Sequence, residues 1–181
     1  DGSNDKIDIT GANSALNFGT GDTFTLSAWV YVTDDGDRKP VVDTYGYGIE
    51  VNADERLKLF LITGTYGAGH DYRWLSSPSG ISTSGWQHVV GILEDTGNAA
   101  TQKLFINGAL VASSSGARMG TQYALYPQVG GSQHLNGLFY KGKIDEVRIY
   151  NRALSAAEVY QLNALESPPP PSISAQPLGA T

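Results

Sequence analysis

Residues 142–165, GKIDEVRIYNRALSAAEVYQLNAL, change their hydrophobic period partway along, and this limits what the end of the chain can build. The first half alternates as an extended strand does. Ile144, Glu146, Arg148 and Tyr150 fall on one face, and Asp145, Val147, Ile149 and Asn151 on the other. The second half is helical. Ser155 and Glu158 have the spacing of a capping box, in which each side chain satisfies a free backbone N–H at the helix start. Leu154 and Val159 flank that cap as a hydrophobic staple would, and Val159, Leu162 and Leu165, or Val159 and Asn163, share a helical face. The pattern predicts a strand that closes a sheet, followed by one short terminal helix.

Upstream, Phe24–Val32 alternates cleanly, with Phe24, Leu26, Ala28 and Val30 on one side and Thr25, Ser27, Trp29 and Tyr31 on the other. Further strands are predicted at residues 6–9, 41–44, 47–51, 57–62, 72–75, 86–93, 103–112, 128–130 and 138–150. Residues 52–56, NADER, read as a hairpin turn. Asn107-Gly108 is a type I′ turn signal, because both central residues of that turn need positive φ. The 22 glycines and 10 tyrosines suit short strands joined by many turns. The predicted fold is all-β, two packed antiparallel sheets in a single domain with one C-terminal helix.

The chain has 181 residues, enough for one substantial core. Its net charge of −6, with no cluster of lysines or arginines, argues against nucleic acid, whose phosphates need a basic stripe. No apolar run reaches the roughly 20 residues that cross a bilayer, so membrane insertion is not expected. Cysteine is absent, so disulfides and thiolate metal sites are not available. Residues 167–181, SPPPPSISAQPLGAT, read as an extended proline-rich linker. The expected organisation is a β-sandwich at 1–166 and a tether at 167–181, together a piece of a larger exported protein.

Five stretches carry a family resemblance: DGSNDKIDI, LNFGTGDTFTLSAWVY, GWQHVVGILED, LFINGALVASS and GKIDEVRIYNRALSAAEV. In this order they resemble the laminin G-like jelly rolls of bacterial secreted proteins, within the concanavalin A-like lectin/glucanase superfamily. The resemblance implies a jelly roll over the chain to about residue 165 and an extracellular or cell-surface location. It leaves function open, since the family includes sugar-binding modules, adhesion modules and plain spacers. It also implies a structural calcium where the first and last strands meet. Asp1 and Asp145 occupy matching motif positions, and Asp5 belongs to the same oxygen-rich loop. On the alternative reading, Asp5 belongs to a turn and Asp145 bonds to backbone amides. Asp34, Asp35 and Asp37 around Gly36 lack the closing glutamate of a calcium loop and adjoin Arg38-Lys39, so a solvated loop is expected there.

Sugar rings expose flat apolar C–H faces on which Tyr and Trp stack, while polar neighbours bond to hydroxyls. Residues 63–74, TGTYGAGHDYRW, gather Tyr66, His70, Asp71, Tyr72, Arg73 and Trp74 among glycines, where relatives carry blander residues. Tyr45 and Tyr47, near Asp43, form a second candidate group. Trp29 and Trp86 fall within fold-defining motifs and read as structural. For catalysis, a glycosidase needs paired carboxylates. The nearest approach, Glu50, Asn52 and Asp54, has an asparagine at its centre. No GxSxG is present, and His70, His88 and His134 show no metal spacing. His88 alternates with Trp86 and Val90 and reads as a packed, hydrogen-bonded residue. The expected function is a non-catalytic module that binds a polysaccharide or glycan, ancillary to a carbohydrate-active enzyme. The alternatives are an adhesion or protein-interaction module and a spacer.

Overall fold

A computed structural model describes residues 5–10, 15–33, 35–64, 69–116, 118–120, 127–132 and 137–166. Eleven strands and a helix follow in chain order: β1 (Ile7–Asp8), β2 (Phe24–Val32), β3 (Lys39–Asp43), β4 (Tyr47–Val51), β5 (Arg56–Thr63), β6 (Asp71–Gly80), β7 (Trp86–Asp95), β8 (Ala100–Ile106), β9 (Ala109–Ser115), β10 (Gln128–Val129), β11 (Gly142–Tyr150) and α1 (Ala156–Glu166). They form two antiparallel sheets, one ordered β1-β10-β3-β4-β5-β6 and the other β11-β2-β7-β8-β9. This is the expected jelly-roll sandwich with a single C-terminal helix.

The alternation in β2 does what it predicts. Phe24, Leu26, Ala28, Val30 and Val32 enter the core between the sheets, against Ile49 and Val51 of β4 and Leu57, Leu59 and Leu61 of β5. The sheets approach closely at Gly91, where a Cβ would lie 2.6 Å from Ile49 Cγ2 and 3.1 Å from Leu59 Cδ1. At one end of the core, the rings of Phe18, Phe24 and Tyr47 pack with centroids 4.7–5.4 Å apart.

Lys39, with no solvent exposure, meets Asp35 at 2.7 Å and Glu55 at 3.2 Å and donates to the Asp37 carbonyl. The loop expected to be merely solvated therefore turns the Asp35 carboxylate inward. Partial burial pushes the Asp35 pKa up, but hydrogen bonds from Lys39 and Lys141 outweigh it and hold the group well below the ordinary carboxylate range. A buried ammonium without these partners would be strongly destabilising.

The helix seals the outer side of the five-stranded sheet. Val90 and Ile92 of β7 and Phe105 of β8 point outward and pack beneath Leu154 and Val159, with Leu162 half-buried beside them. The capping box is formed: the Ser155 amide donates to Glu158 at 2.7 Å, and the Glu158 amide donates to Ser155 Oγ at 3.2 Å. Leu165 does not share the buried face and is 84% exposed. Six residues past Val159, the helix has turned it about 120° away from the sheet.

The last strand departs from plain alternation. A bulge interrupts its pairing with β2 between Asp145 and Arg148, and Glu146 takes a φ of 49°. The bulge shifts the phase, so Ile144, Val147 and Ile149 all pack on the core side. Asp145, Arg148 and Tyr150 pair with Trp29, Ser27 and Thr25 on the outer side.

Candidate functional site

β6 is an edge strand of the six-stranded sheet, and its alternation divides the predicted cluster. Arg73 and Leu75 pair with Leu61 and Leu59, which face the core; Tyr72 and Trp74 pair with Ile62 and Phe60 on the outer side. Tyr72 and Trp74 are therefore neighbours on one face. Their rings stack with centroids 5.5 Å apart and an interplanar angle of 18°. His70 meets Tyr72 edge-on at 5.8 Å. Trp74 is 53% exposed.

The register carries this face across the whole sheet. Trp74 lies opposite Phe60, Phe60 opposite Gly48, Gly48 opposite Asp43, Asp43 opposite Gln128 and Gln128 opposite Asp8. Phe60 lies over Gly48, where a Cβ would come within 2.6 Å of its ring and 2.3 Å of the Val42 carbonyl. Only glycine fits there. Phe60 and Ile62 are buried although they point outward, so the open aromatic surface is concentrated at Trp74 and Tyr72.

Tyr45 approaches from the β3–β4 turn. It has a φ of 72°, is half-buried and donates its amide to Asp43 Oδ1 at 2.9 Å. Burial, with smaller contributions from Tyr45 and the Asp43 carboxylate, raises the Tyr72 phenol above its ordinary pKa. These three side chains face one another across strands. Farther along the row, Gln128 Nε2 donates to Asp8 Oδ1 at 2.6 Å. The composite surface has stacked rings at one end and acceptor oxygens at the other.

The predicted residues distribute unevenly over this surface. His70, Tyr72, Trp74 and Tyr45 come together. Arg73 and Asp71 form an exposed 3.1 Å ion pair, with Arg73 directed to the side of β6 opposite Trp74. Tyr66 lies outside the described residues. Tyr47 is a correction: it is 2% exposed, its ring is in the core, and its hydroxyl donates to the Leu16 carbonyl at 2.6 Å. A ring fixed there has no face to offer a ligand. Asp43, Phe60 and Gln128 were not among the predicted residues. Their membership depends on cross-strand register, which their own sequence neighbourhoods do not encode.

For calcium, Asp1 lies outside the described residues. Asp5 lines a cavity of about 360 Å³ with Tyr140 and Ile144, whereas Asp145 lines a separate one of about 220 Å³ with Trp29 and Trp86. Asp145 Oδ1 accepts the Glu146 amide at 2.8 Å, in line with the backbone-bonding alternative. Among the described residues no three His, Asp or Glu side chains gather to hold an ion.

The other motifs fall as follows. Trp29 is buried and donates Nε1 to Glu166 at 3.1 Å, and Trp86 packs edge-on against Tyr31. Glu50, of the carboxylate lookalike, is buried and bound through both oxygens by Arg38; Asn52 and Asp54 bond to each other in the β4–β5 turn. His88 is fully buried, with Nε2 2.9 Å from Ser27 Oγ.

A family model of laminin G type, described as the concanavalin A-like lectin/glucanases superfamily, matches residues 1–160. Comparison with curated protein sequences finds no match. Among solved structures, the CBM40 of Ruminococcus gnavus IT-sialidase, bound to α2,3-sialyllactose, is 16% identical with a TM-score of 0.67, covering 90% of this chain and 94% of that one. The binding domain of Paraclostridial Mosquitocidal Protein 1 is 17% identical with a TM-score of 0.61, covering 87% and 42%. A botulinum neurotoxin type C structure, whose cell entry depends on two ganglioside molecules, is 14% identical with a TM-score of 0.62, covering 91% and 41%. The chain spans about two-fifths of the length of each of these two toxin chains. These likenesses are to the fold, and by its family match over residues 1–160 the chain belongs to the concanavalin A-like lectin/glucanases superfamily, as a laminin G-type domain.

Proposed function

We propose that this domain binds carbohydrate on the outer face of the six-stranded sheet, with Trp74 and Tyr72 as the stacking platform. The observation that carries the reading is the near-parallel Tyr72–Trp74 pair, held on an edge strand with Trp74 more than half exposed. A large ring left in water at that cost fits a flat apolar ligand face better than it fits the core. Asp8, exposed at the far end of the row, has carboxylate oxygens that can accept from hydroxyl groups. The sialyllactose-bound and ganglioside-dependent neighbours support glycan binding as a use of this fold. A service role beside a carbohydrate-active catalytic domain, in an exported protein, extends the proposal.

The test is affinity electrophoresis on a panel of soluble polysaccharides. Wild type should be retarded by at least one polymer, and Trp74→Ala should abolish the retardation while keeping the β-sheet circular dichroism spectrum. Loss of a stacking ring costs about 0.5–1.5 kcal/mol beyond the area it buries, which weakens a shallow site roughly tenfold. Retardation unchanged in both Trp74→Ala and Tyr72→Ala would move the site elsewhere. Pull-down of a protein partner with no glycan bound would favour the adhesion reading.

A further inference from the structure

Resting on that reading, we infer that Lys58 makes this face selective for glycans that carry an acidic group beside the sugar stacked on Trp74. The alternation of β5 puts Lys58, Phe60 and Ile62 on the outer side, since Leu57, Leu59 and Leu61 fill the core. In the β5–β6 ladder Lys58 stands opposite Ser76, and Phe60 opposite Trp74. Lys58 and Trp74 are therefore diagonal neighbours on one face, a relation that puts Cβ atoms about 7 Å apart. Lys58 is half-buried and Trp74 is 53% exposed, so both are open to a ligand lying along this edge of the sheet.

The carboxylate best placed to neutralise Lys58 is already taken. Glu50 lies opposite it on β4, but Glu50 is buried and Arg38 binds both of its oxygens. Arg38 thus offsets the charge of Glu50, and Lys58 adds a second positive charge on the same rung. Among the described residues the Lys58 side chain has no hydrogen bond or ion pair. The other cations around this face are engaged. Arg56 pairs with Asp54 at 3.6 Å, and Arg73, on the opposite side of β6, with Asp71 at 3.1 Å. Lys6 bonds to Asp8 at 2.9 Å at the far end of the sheet. Asp43, the carboxylate in the row of Trp74, is 1% exposed and three strands away.

An ammonium is a compact charge with three donors and no acceptor. Beside an aromatic platform it complements a sugar whose flat C–H face covers the ring and whose carboxylate or sulfate projects past the edge. A neutral sugar would leave the ammonium to water and gain little from it. One acidic group per bound segment fits, whereas the net charge of −6 works against a polymer charged at each residue.

The experiment titrates lactose, sulfated lactose and sialyllactose, and xylan against glucuronoxylan, by calorimetry and affinity electrophoresis at low salt. Within a set the acidic form should bind about two- to fivefold more tightly, the range of a partly exposed ion pair, with the advantage shrinking as salt rises. The two acidic lactoses distinguish sulfate from carboxylate. Lys58→Gln, with its β-sheet circular dichroism retained, should bring the acidic form down to the affinity of the neutral one, and Lys58→Arg should keep the advantage. Trp74→Ala should weaken both forms alike. Equal affinity for neutral and acidic forms, or an advantage that survives Lys58→Gln, would overturn the inference while glycan binding stands. Binding of neither form, or binding indifferent to Trp74→Ala, would remove the proposed site itself and this inference with it.

Discussion

His88 makes the stability of this domain depend on pH in a way that can be worked out before measurement. The ring is fully buried on β7, 5.3 Å from the Trp29 ring, and its Nε2 meets Ser27 Oγ at 2.9 Å. Burial, and then the positive charge of Arg148, lowers its pKa to about 4. In the unfolded chain the ring takes up its proton near pH 6.5. Between these values the unfolded state binds a proton that the folded state refuses, so stability present above pH 6.5 is lost as pH falls toward 4. Linkage with these two pKa values gives a loss of about 2 kcal/mol at pH 5 and about 3 kcal/mol at pH 4. The perturbation is His88→Gln, whose amide keeps a partner for Ser27 but does not titrate. Urea unfolding of both proteins at pH 7, 6, 5 and 4 yields the difference, in which the carboxylate contributions cancel. The wild-type curve should fall by about 3 kcal/mol more than that of the variant between pH 7 and 4. Parallel curves, or a His88 ring titrating near 6.5 by NMR, would refute the reasoning.

Three further outcomes are expected. Gly91→Ala places a methyl 2.6 Å from Ile49 Cγ2 and should destabilise by about 1–3 kcal/mol in urea unfolding, whereas Gly85→Ala, with open space around it, should be close to neutral. Ser155→Ala removes one half of the capping box and should cost about 0.5–2 kcal/mol, read as a lower thermal midpoint with native near-UV signals retained. A calcium joining the residue 1–5 loop to Asp145 is proposed to add stability, so chelator should lower Tm and Asp145→Ala should abolish that dependence. A chelator-induced shift that survives in the variant would show that Asp145 is not a ligand.

Strict alternation between clear turn signals made β2 and β4 legible to the residue, and the Asn107-Gly108 turn appears with both φ values positive. β6 was harder. It continues to Gly80 through Ser76, Ser77 and Pro78, because an edge strand needs neither apolar residues on both faces nor every backbone N–H. Tyr47 shares the parity of Ile49 and Val51, so its burial was written in the strand; its place beside Tyr45 suggested a surface instead. In β11 the signal was also present. Ile144 falls out of phase with Val147 and Ile149, and one extra residue restores all three to the core. At the candidate site, the shared parity of Tyr72 and Trp74 could be read directly. The approach of Asp43 and Tyr45 to Tyr72 could not, since it depends on how three strands align.

The bulge in β11 has a consequence for life at high concentration. β11 is the nine-residue edge of the five-stranded sheet, and such a border offers a template on which a second chain can pair and begin a fibril. With Glu146 at a φ of 49°, the strand bends and its donors and acceptors lose the even spacing a flat partner would need. Lys143, Asp145, Glu146 and Arg148 line this border with charges of both signs, so an incoming strand would have to strip water from several ions at once. The kink that brings three aliphatic side chains into the core therefore also makes this edge a poor template for strand pairing with a second copy.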